Sequence, residues 1–291
     1  MVKGMWSFSR VIFFVAHCRG ALLRHPTILC RPVLHFGDTL SKPKQPVLLV
    51  TGGGRGIGAA TALLAAAQGW AVAINYAQDA KAAAQVVAHI EKAGGQAQAF
   101  QANVADEAQV MAMFEAIDQQ MGRLSGLVNN AGVVDVYARV DEMSVARIRR
   151  MFDVNVLGSF ICAREAVRRM STKHGGSGGS IVNVSSAASR IGSPGQYVDY
   201  ASAKGAIDTF TLGLAKEVAA EGIRVNAVRP GLIDTEIHAS GGLPNRVKDL
   251  QHLIPAQRGG TAAEVAQAIV WLLSDAASYT TMSLLDVSGG R

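Results

Sequence analysis

The chain has 291 residues, enough for one α/β domain with a large core. Its formal charge of +6 is carried entirely by residues 1–45, where seven Lys and Arg side chains accompany a single Asp. The rest of the chain is therefore neutral overall, which excludes the basic footprint of a nucleic-acid-binding protein.

The three cysteines, Cys18, Cys30 and Cys162, show neither the spacing of a disulfide framework nor that of a metal site. The histidines are likewise scattered without ligand spacing, so no metal is expected. This cysteine usage is typical of a reducing compartment, and we expect a cytoplasmic protein.

Residues 1–45 are basic and almost free of acidic side chains. Their apolar run, Val11–Ala16, is too short for a secretory signal or a bilayer span, so no membrane partner is expected. An organelle transit peptide is one interpretation of this composition. We favour two others, a disordered tail or a start codon assigned too far upstream. In either case residues 1–45 form an extension that is not part of the domain at residues 46–291.

From residue 46 onward, short apolar segments alternate with alanine-rich amphipathic segments. This alternation predicts a single-domain α/β fold, with a doubly wound, Rossmann-like, parallel seven-stranded sheet and helices on both faces. Strands are predicted at 47–50, 71–76, 96–101, 126–129, 180–185, 224–229 and 284–287.

The first predicted strand is followed at once by glycines at 52, 56 and 58 and then by a helix-forming alanine run. Glycine permits sharp turns and close backbone approach. The N-terminus of the helix offers unpaired N–H groups and a positive dipole end, which suits a diphosphate. The spacing is Gly-x-x-x-Gly-x-Gly, and the alternative is a glycine-rich turn without a ligand.

The second predicted strand ends where a dinucleotide fold meets the adenosine ribose. An acidic residue there would accept from the 2′-hydroxyl of NAD, but this chain has Asn75 and Tyr76, with no acid before Asp79. Arg55, in the glycine loop, is placed to bind a 2′-phosphate through its planar fork. We therefore favour NADP(H) over NAD(H). The alternative is that Arg55 is solvated and Asp79 reaches the ribose.

Tyr200 and Lys204 lie four residues apart in Tyr-Ala-Ser-Ala-Lys, within a predicted helix. Both side chains therefore project from one helical face. A nearby cation stabilises a phenolate and lowers the tyrosine pKa, which gives an acid/base that works near neutral pH.

Several further blocks occur in order along the chain: Val-Asn-Asn-Ala-Gly at 128–132, Met-Phe-Asp-Val-Asn at 151–155, Ile-Val-Asn-Val-Ser-Ser at 181–186 and Pro-Gly at 230–231. Together with the glycine loop and the Tyr200/Lys204 pair, they resemble the short-chain dehydrogenase/reductase family. The resemblance covers residues 46–291 and is nearest to sugar dehydrogenase-like and 3-oxoacyl-carrier-protein-reductase-like members.

This resemblance implies reversible hydride transfer between a nicotinamide and a carbonyl or secondary alcohol. It assigns Tyr200 as the acid/base and Lys204 as the residue that lowers the tyrosine pKa and holds the nicotinamide ribose. Ser186 is the residue that hydrogen-bonds the substrate oxygen, and Asn155 holds a water of the proton relay. The cofactor contacts that it implies are Thr51, Gly52, Arg55, Gly56, Ile57, Gly58, Asn75, Asn103, Val104, Asn130, Ala131, Gly132, Tyr200, Lys204, Pro230, Gly231, Ile233 and Thr235.

The chain departs from the family pattern at three places. Asn103 stands where Asp is usual, and the segment Ser193–Asp199 carries one residue more than in many members. Met282 stands where a glycine is usual, and methionine resists the backbone shape that glycine supplies there. The first two departures lie near the expected cofactor and substrate sites, whereas the third concerns only the approach to the last strand.

Two long helical segments, 145–170 and 200–220, carry apolar residues beyond one face, which favours packing against copies of the chain. The resemblance implies a homotetramer, with a dimer as the alternative. A non-catalytic dinucleotide-binding regulator, an NAD-dependent sugar dehydrogenase and a related lyase or epimerase remain as alternative functions. The substrate pocket is expected at Ala187–Arg190, Tyr197 and Ile237–Arg258, and this composition excludes neither a sugar nor an acyl thioester nor a steroid.

Overall fold

A computed structural model describes residues 45–291, apart from the side chain of residue 238. The expected extension at residues 1–45 thus lies almost wholly outside the described residues and stays a prediction. The main sheet has seven strands, all parallel, in the order β3-β2-β1-β4-β5-β6-β9. Its strands are β1 Val47–Val50, β2 Ala71–Tyr76, β3 Gln96–Gln101, β4 Leu124–Asn129, β5 Gly179–Val184, β6 Ile223–Pro230 and β9 Leu284–Val287.

Helices connect the strands and cover both faces of the sheet. They are α1 Gly56–Ala67, α2 Ala80–Lys92, α3 Glu107–Gln120, α4 Val145–Phe152, α5 Gly158–Met170, α6 Ala188–Ile191, α7 Val198–Val218, α8 Ile237–Ser240, α9 Arg246–Leu250 and α10 Ala262–Leu273. A π-helical segment, Asp153–Leu157, joins α4 to α5 without a break. Short 3-10 turns occupy Val140–Glu142, Thr172–His174, Ala219–Glu221, Gln251–Leu253 and Asp275–Ala277.

The first strand shows why the apolar runs become buried strands. All four residues of β1 are buried, and successive side chains point to opposite faces of the sheet. Val47 and Leu49 join the core under α3 and α5, while Leu48 and Val50 join the core under α1 and α10. A strand covered by helices on both faces is predominantly apolar, and β1 is apolar throughout.

The predicted fold class is confirmed, including all seven strands of the main sheet. Three strands, β4, β5 and β6, have bounds that differ from the prediction by one or two residues. An additional pair of two-residue strands, β7 Ile233–Asp234 and β8 Gly260–Thr261, was not predicted because its length gives no periodic signal. Within the described residues, no helix combines the length and the apolar character needed to cross a bilayer.

Met282, which stands before the last strand where a glycine is usual, adopts a positive φ of +64°. Its backbone N–H donates to the carbonyl oxygen of Val225 at 2.7 Å, so this turn fixes the approach to β9. A left-handed conformation at a residue with a side chain is strained, in agreement with the glycine that is usual at this position.

Candidate functional site

The glycine loop between β1 and α1 has backbone angles and close contacts that a residue with a side chain would not allow. Gly52 and Gly56 have φ of +61° and +53°, and a Cβ on Gly58 would lie 2.4 Å from the carbonyl oxygen of Gly52. Arg55 is the N-cap of α1, has extended backbone angles and makes no side-chain capping bond. The first-turn N–H groups of α1 therefore stay available, which is the condition for binding a phosphate at a helix N-terminus.

Three polar side chains support this loop through backbone contacts. The Thr51 hydroxyl accepts from the N–H groups of Asn130 and Ala131 at 2.9 and 3.0 Å. The Asn130 side-chain amide donates to the carbonyl of Thr51 at 2.8 Å. The Asn75 Oδ1 accepts from the N–H of Gly52 at 3.3 Å, and its Nδ2 donates to the carbonyl of Ala102 at 3.0 Å. These residues shape the loop, and their side chains are already engaged by the protein.

A cleft of about 880 Å³ runs along the loop and past the carboxyl ends of β1, β2 and β4. A volume of this size lies within the range of small-molecule and cofactor sites. Together with the uncapped helix end, it shows that the residues present fit a dinucleotide. The predicted cofactor residues that line the cleft are Gly52, Arg55, Gly56, Ile57, Asn75, Asn103, Val104, Asn130, Ala131, Gly132 and Thr235.

A second cavity, of about 320 Å³, adjoins the cleft and contains the predicted acid/base. Gly132 and Thr235 line both spaces, so the two lie side by side. The predicted residues that line only the second cavity are Ser186, Tyr200, Lys204, Pro230, Gly231 and Ile233. Neither space is lined by the predicted residues Thr51 and Gly58, which act on the shape of the loop instead.

Ser186, Tyr200 and Lys204 come together because β5 and α7 present them to the same cavity. Ser186 follows the end of β5, and the other two occupy the first turns of α7. The Ser186 hydroxyl lies close enough to the Tyr200 phenol to favour its ionised form and so to oppose the rise in its pKa. The Lys204 side chain is buried, donates to the carbonyl of Val184 at 2.8 Å and lies 5.6 Å from the centroid of the Tyr200 ring.

The pKa values of this pair correct one expectation. The spacing of Tyr200 and Lys204 predicted that the lysine lowers the pKa of the phenol. Burial instead raises the pKa of Tyr200 to about 12, against the opposing effects of the Ser186 hydroxyl and the charge of Arg246. Burial also lowers the pKa of Lys204 to about 8, with the charge of Asp208 opposing it. Desolvation disfavours the charged form of each group. The phenol therefore keeps its proton, and the Lys204 ammonium loses its proton more readily than an exposed lysine does.

Asn155 is fully buried in the π-helical segment between α4 and α5. Its Oδ1 accepts from the N–H of Val133 at 3.2 Å, and its Nδ2 donates to the carbonyls of Val133 and Met151 at 3.0 and 2.9 Å. A Cβ on Gly132 would lie 2.7 Å from this Oδ1 and 3.6 Å from the Lys204 ammonium, so both side chains flank Gly132. The π turn thus brings the predicted relay residue next to the acid/base pair, a placement that π-bulges often provide.

The structure adds residues that the sequence reasoning missed. Arg147, on α4, forms a buried ion pair with Asp199, and the Oδ1 of Asp199 accepts from the N–H of Tyr200 at 2.9 Å. Arg246 and Arg291 line the second cavity. The ion pair joins residues 52 positions apart, and no local pattern marks such a pair. Arg246 lay within the stretch expected to border the substrate but was not singled out.

The comparisons with known proteins agree with this arrangement. A family profile described as Enoyl-(Acyl carrier protein) reductase matches residues 52–291. The chain is 60% identical over 245 residues to Uncharacterized oxidoreductase YgfF of Escherichia coli, with 84% of this chain and 99% of that protein covered. It is 40% identical over 245 residues to a 3-oxoacyl-[acyl-carrier-protein] reductase of Synechocystis, with 84% and 96% covered. A solved dehydrogenase/reductase structure from Sinorhizobium meliloti matches with a TM-score of 0.78 at 31% identity, with 84% and 94% covered.

Proposed function

Because the chain belongs to the short-chain dehydrogenase/reductase family and is an oxidoreductase, we propose that it transfers a hydride between NADP(H) and a carbonyl or secondary alcohol. The main support is the position of Ser186, Tyr200 and Lys204 in the cavity that adjoins the cofactor cleft. A molecule in this cavity meets both the acid/base and the space that fits a dinucleotide. A non-catalytic regulator would not need Ser186, Tyr200 and Lys204 together in one cavity.

The phenol supplies the proton in the reducing direction. A bound nicotinamide supplies the hydride, and the substrate oxygen takes up a proton as its carbonyl becomes an alcohol. Since the pKa of Tyr200 is raised to about 12, this phenol is protonated at neutral pH and ready to donate. Ser186 offers a second donor beside it, and donors placed in advance stabilise the negative charge that grows on the oxygen.

The proton that leaves Tyr200 is returned through Lys204. Its Nζ lies 5.6 Å from the centroid of the phenol ring, and its pKa, lowered to about 8 by burial, makes it a better proton donor than an ordinary lysine. Asn155 also lies against Gly132, and it holds the backbone of Val133 at the edge of this path. In the oxidising direction the same groups act in reverse order.

The preference for NADP(H) rests on Arg55 and Asp79. Arg55 is exposed at the cleft, and its guanidinium makes no hydrogen bond or ion pair with any residue in 45–291. It is free to form a fork with a 2′-phosphate. Asp79, which would have to serve NAD, already accepts from the N–H of Ala82 at 2.9 Å as the N-cap of α2.

We further propose a homotetramer in the cytoplasm. Large apolar side chains on α4, the π segment and α5 are exposed, among them Phe152, Leu157 and Phe160. Phe160 also stacks on Phe210 of α7, with ring centroids 3.8 Å apart, so the exposed surface continues from one long helix to the other. Such a patch favours burial against a copy of the chain. Light scattering after size exclusion measures the mass directly, and a monomer mass would contradict this assembly.

Turnover by the purified full chain tests the proposed function. Ketones, sugars and acyl thioesters are supplied with NADPH or NADH, and cofactor absorbance is followed. We expect Tyr200→Phe to lower kcat at least about a hundredfold, as for the loss of a general acid, while NADPH binding measured by calorimetry is retained. Tyr279→Phe is the matched control, because Tyr279 is fully exposed at 104%. Undiminished turnover by Tyr200→Phe would mean that another group donates the proton.

A further inference from the structure

We propose that the substrate carries an anionic group, a carboxylate or a phosphate, which binds to Arg246 in the second cavity. This inference rests on the proposed function, since it names the class of molecule on which Tyr200 and Ser186 act. The cavity wall, the environment of Arg246 and the distribution of charge each support it.

The wall of the second cavity is strongly asymmetric in charge. Three cations line it, Lys204, Arg246 and Arg291, and none of the described residues that line it is Asp or Glu. Much of the remaining wall is apolar, including Val134, Ile191, Leu232 and Ile237. A volume of about 320 Å³ suits a small molecule with a hydrocarbon part and one charged end.

Neutral groups hold Arg246 in place. Its guanidinium lies 4.9 Å from the centroid of the Tyr197 ring and 5.4 Å from that of Tyr137, and these two rings pack edge to face at 5.0 Å. The Nη2 of Arg246 donates to the Gln196 Oε1 at 3.0 Å. Stacking and one amide fix the position of the side chain but leave its positive charge unbalanced.

The charge of Arg246 has no acidic partner among residues 45–291. Other arginines around the fold have one, such as Arg147 with Asp199 and Arg229 with Asp208. The Nε of Arg246 is buried without a hydrogen-bond partner, and no other residue with an unpaired buried side-chain atom in the described part of the chain lines this cavity. A buried donor left unpaired calls for an acceptor, and a carboxylate or phosphate oxygen is the acceptor that a guanidinium binds best.

Arg246 is also coupled to the groups around it. Its charge opposes the rise in the pKa of Tyr200, and burial together with the charge of Arg246 lowers the pKa of Arg291. Two guanidinium groups that repel each other across a cavity gain from an anion between them. The anion would therefore sit at the Arg246 end of the cavity while the reacting carbon faces the phenol.

Substrates of similar shape that differ in charge show whether the cavity selects for an anionic group. The probes are methyl ketones of graded chain length that end in a carboxylate, in a phosphonate or in the methyl ester of the carboxylate. Each ketone takes one hydride from NADPH and one proton to give the alcohol and NADP⁺, so NADPH absorbance reports kcat/KM for all of them. We expect the wild type to prefer an anionic ketone over its ester about tenfold or more, and the carboxylate and phosphonate arms identify which anion fits.

Substitution of Arg246 tests the assignment. Arg246→Met should lower kcat/KM for the preferred anionic ketone about tenfold to hundredfold, the effect of losing a charge-assisted hydrogen bond. It should lower kcat/KM for the ester far less, since the ester loses only the effect of the Arg246 charge on the phenol, and turnover of the ester also shows that the variant folds. Arg246→Lys should restore part of the loss. The control is Arg258→Met, because Arg258 pairs with Glu264 and does not line the cavity.

A second measurement does not depend on turnover. Calorimetry with a saturated carboxylic acid of the preferred chain length, which has no ketone, should show binding to the wild type and none to Arg246→Met. If no ketone is reduced but this difference in binding appears, the anion site stands and the proposed function fails. Equal kcat/KM for acid and ester in the wild type overturns the anionic substrate and leaves the proposed function standing. A preference that survives Arg246→Met, or acid binding to neither protein, overturns the assignment to Arg246.

Discussion

Asp199→Asn should destabilise the protein strongly, because Asp199 forms a buried ion pair with Arg147 next to Tyr200. Its Oδ2 lies 2.8 Å from the Arg147 Nε and its Oδ1 lies 3.3 Å from the Nη2, and the two side chains are only 2% and 9% exposed. The Oδ1 also accepts from the N–H of Tyr200. The pair thus connects α4 to the first turn of α7, where the phenol is attached.

The expected cost follows from this burial. Removal of one partner of a buried ion pair leaves an uncompensated charge and costs about 3–5 kcal/mol. The asparagine keeps the shape and one acceptor oxygen, so we expect about 3 kcal/mol, at the lower end of that range. The matched control is Asp141→Asn, in the Arg139–Asp141 pair, whose side chains are 72% and 64% exposed. An exposed pair contributes about 1 kcal/mol or less.

Urea unfolding gives the free energy of unfolding of the wild type and of both variants at one protein concentration, because association makes apparent stability depend on concentration. A loss below about 1 kcal/mol for Asp199→Asn, or an equal loss for Asp141→Asn, would refute the argument that burial makes this pair important. A cofactor titration of the folded variant shows whether the nucleotide cleft is otherwise intact.

Two further predictions concern cofactor choice and backbone strain. Arg55→Ala should raise the KM for NADPH about tenfold and leave that for NADH nearly unchanged, since only NADPH carries the 2′-phosphate; equal effects on both cofactors in steady-state kinetics would contradict this. Met282→Gly should raise the free energy of unfolding by about 0.5 kcal/mol. The relief of about 1 kcal/mol of left-handed strain exceeds the extra entropy of the unfolded chain, and urea unfolding that shows a loss above about 1 kcal/mol would count against it.

Much of the fold could be predicted from the sequence because burial leaves a direct mark on composition. A strand covered on both faces is mostly apolar, so Val47–Val50 and, apart from the buried Asn75, Ala71–Tyr76 stand out as apolar runs with the bounds that the structure has. The glycine loop is marked equally well, since a Cβ on Gly58 would collide with the carbonyl of Gly52. Local sterics and periodicity are properties of a single segment, and a single segment can be interpreted without the rest.

The rest of the site depends on contacts between distant segments. Nothing in the sequence pairs Arg147 with Asp199, or places Arg246 over the ring of Tyr197. The π segment is similar, because no Pro or Gly interrupts Val145–Leu157 to mark the irregular turn. Only the family resemblance singled out Asn155, and neither composition nor spacing would have done so.

The predicted acid/base pair shows which properties follow from spacing and which depend on burial. A spacing of four residues places Tyr200 and Lys204 on one face of α7, but the pKa of each group depends on how completely that face is buried. Burial raises the pKa of the phenol to about 12 and lowers that of the ammonium to about 8, so each group is driven toward its neutral form. The resting site therefore holds a protonated phenol, which suits it to give a proton to a carbonyl oxygen as hydride arrives. In the proposed reaction the phenolate forms near two cations, Lys204, whose Nζ lies 5.6 Å from the centroid of the ring, and Arg246, whose charge opposes the rise in the phenol pKa. An anionic substrate that occupied Arg246 would cancel one of them, and this would leave Lys204 as the group that the phenolate relies on.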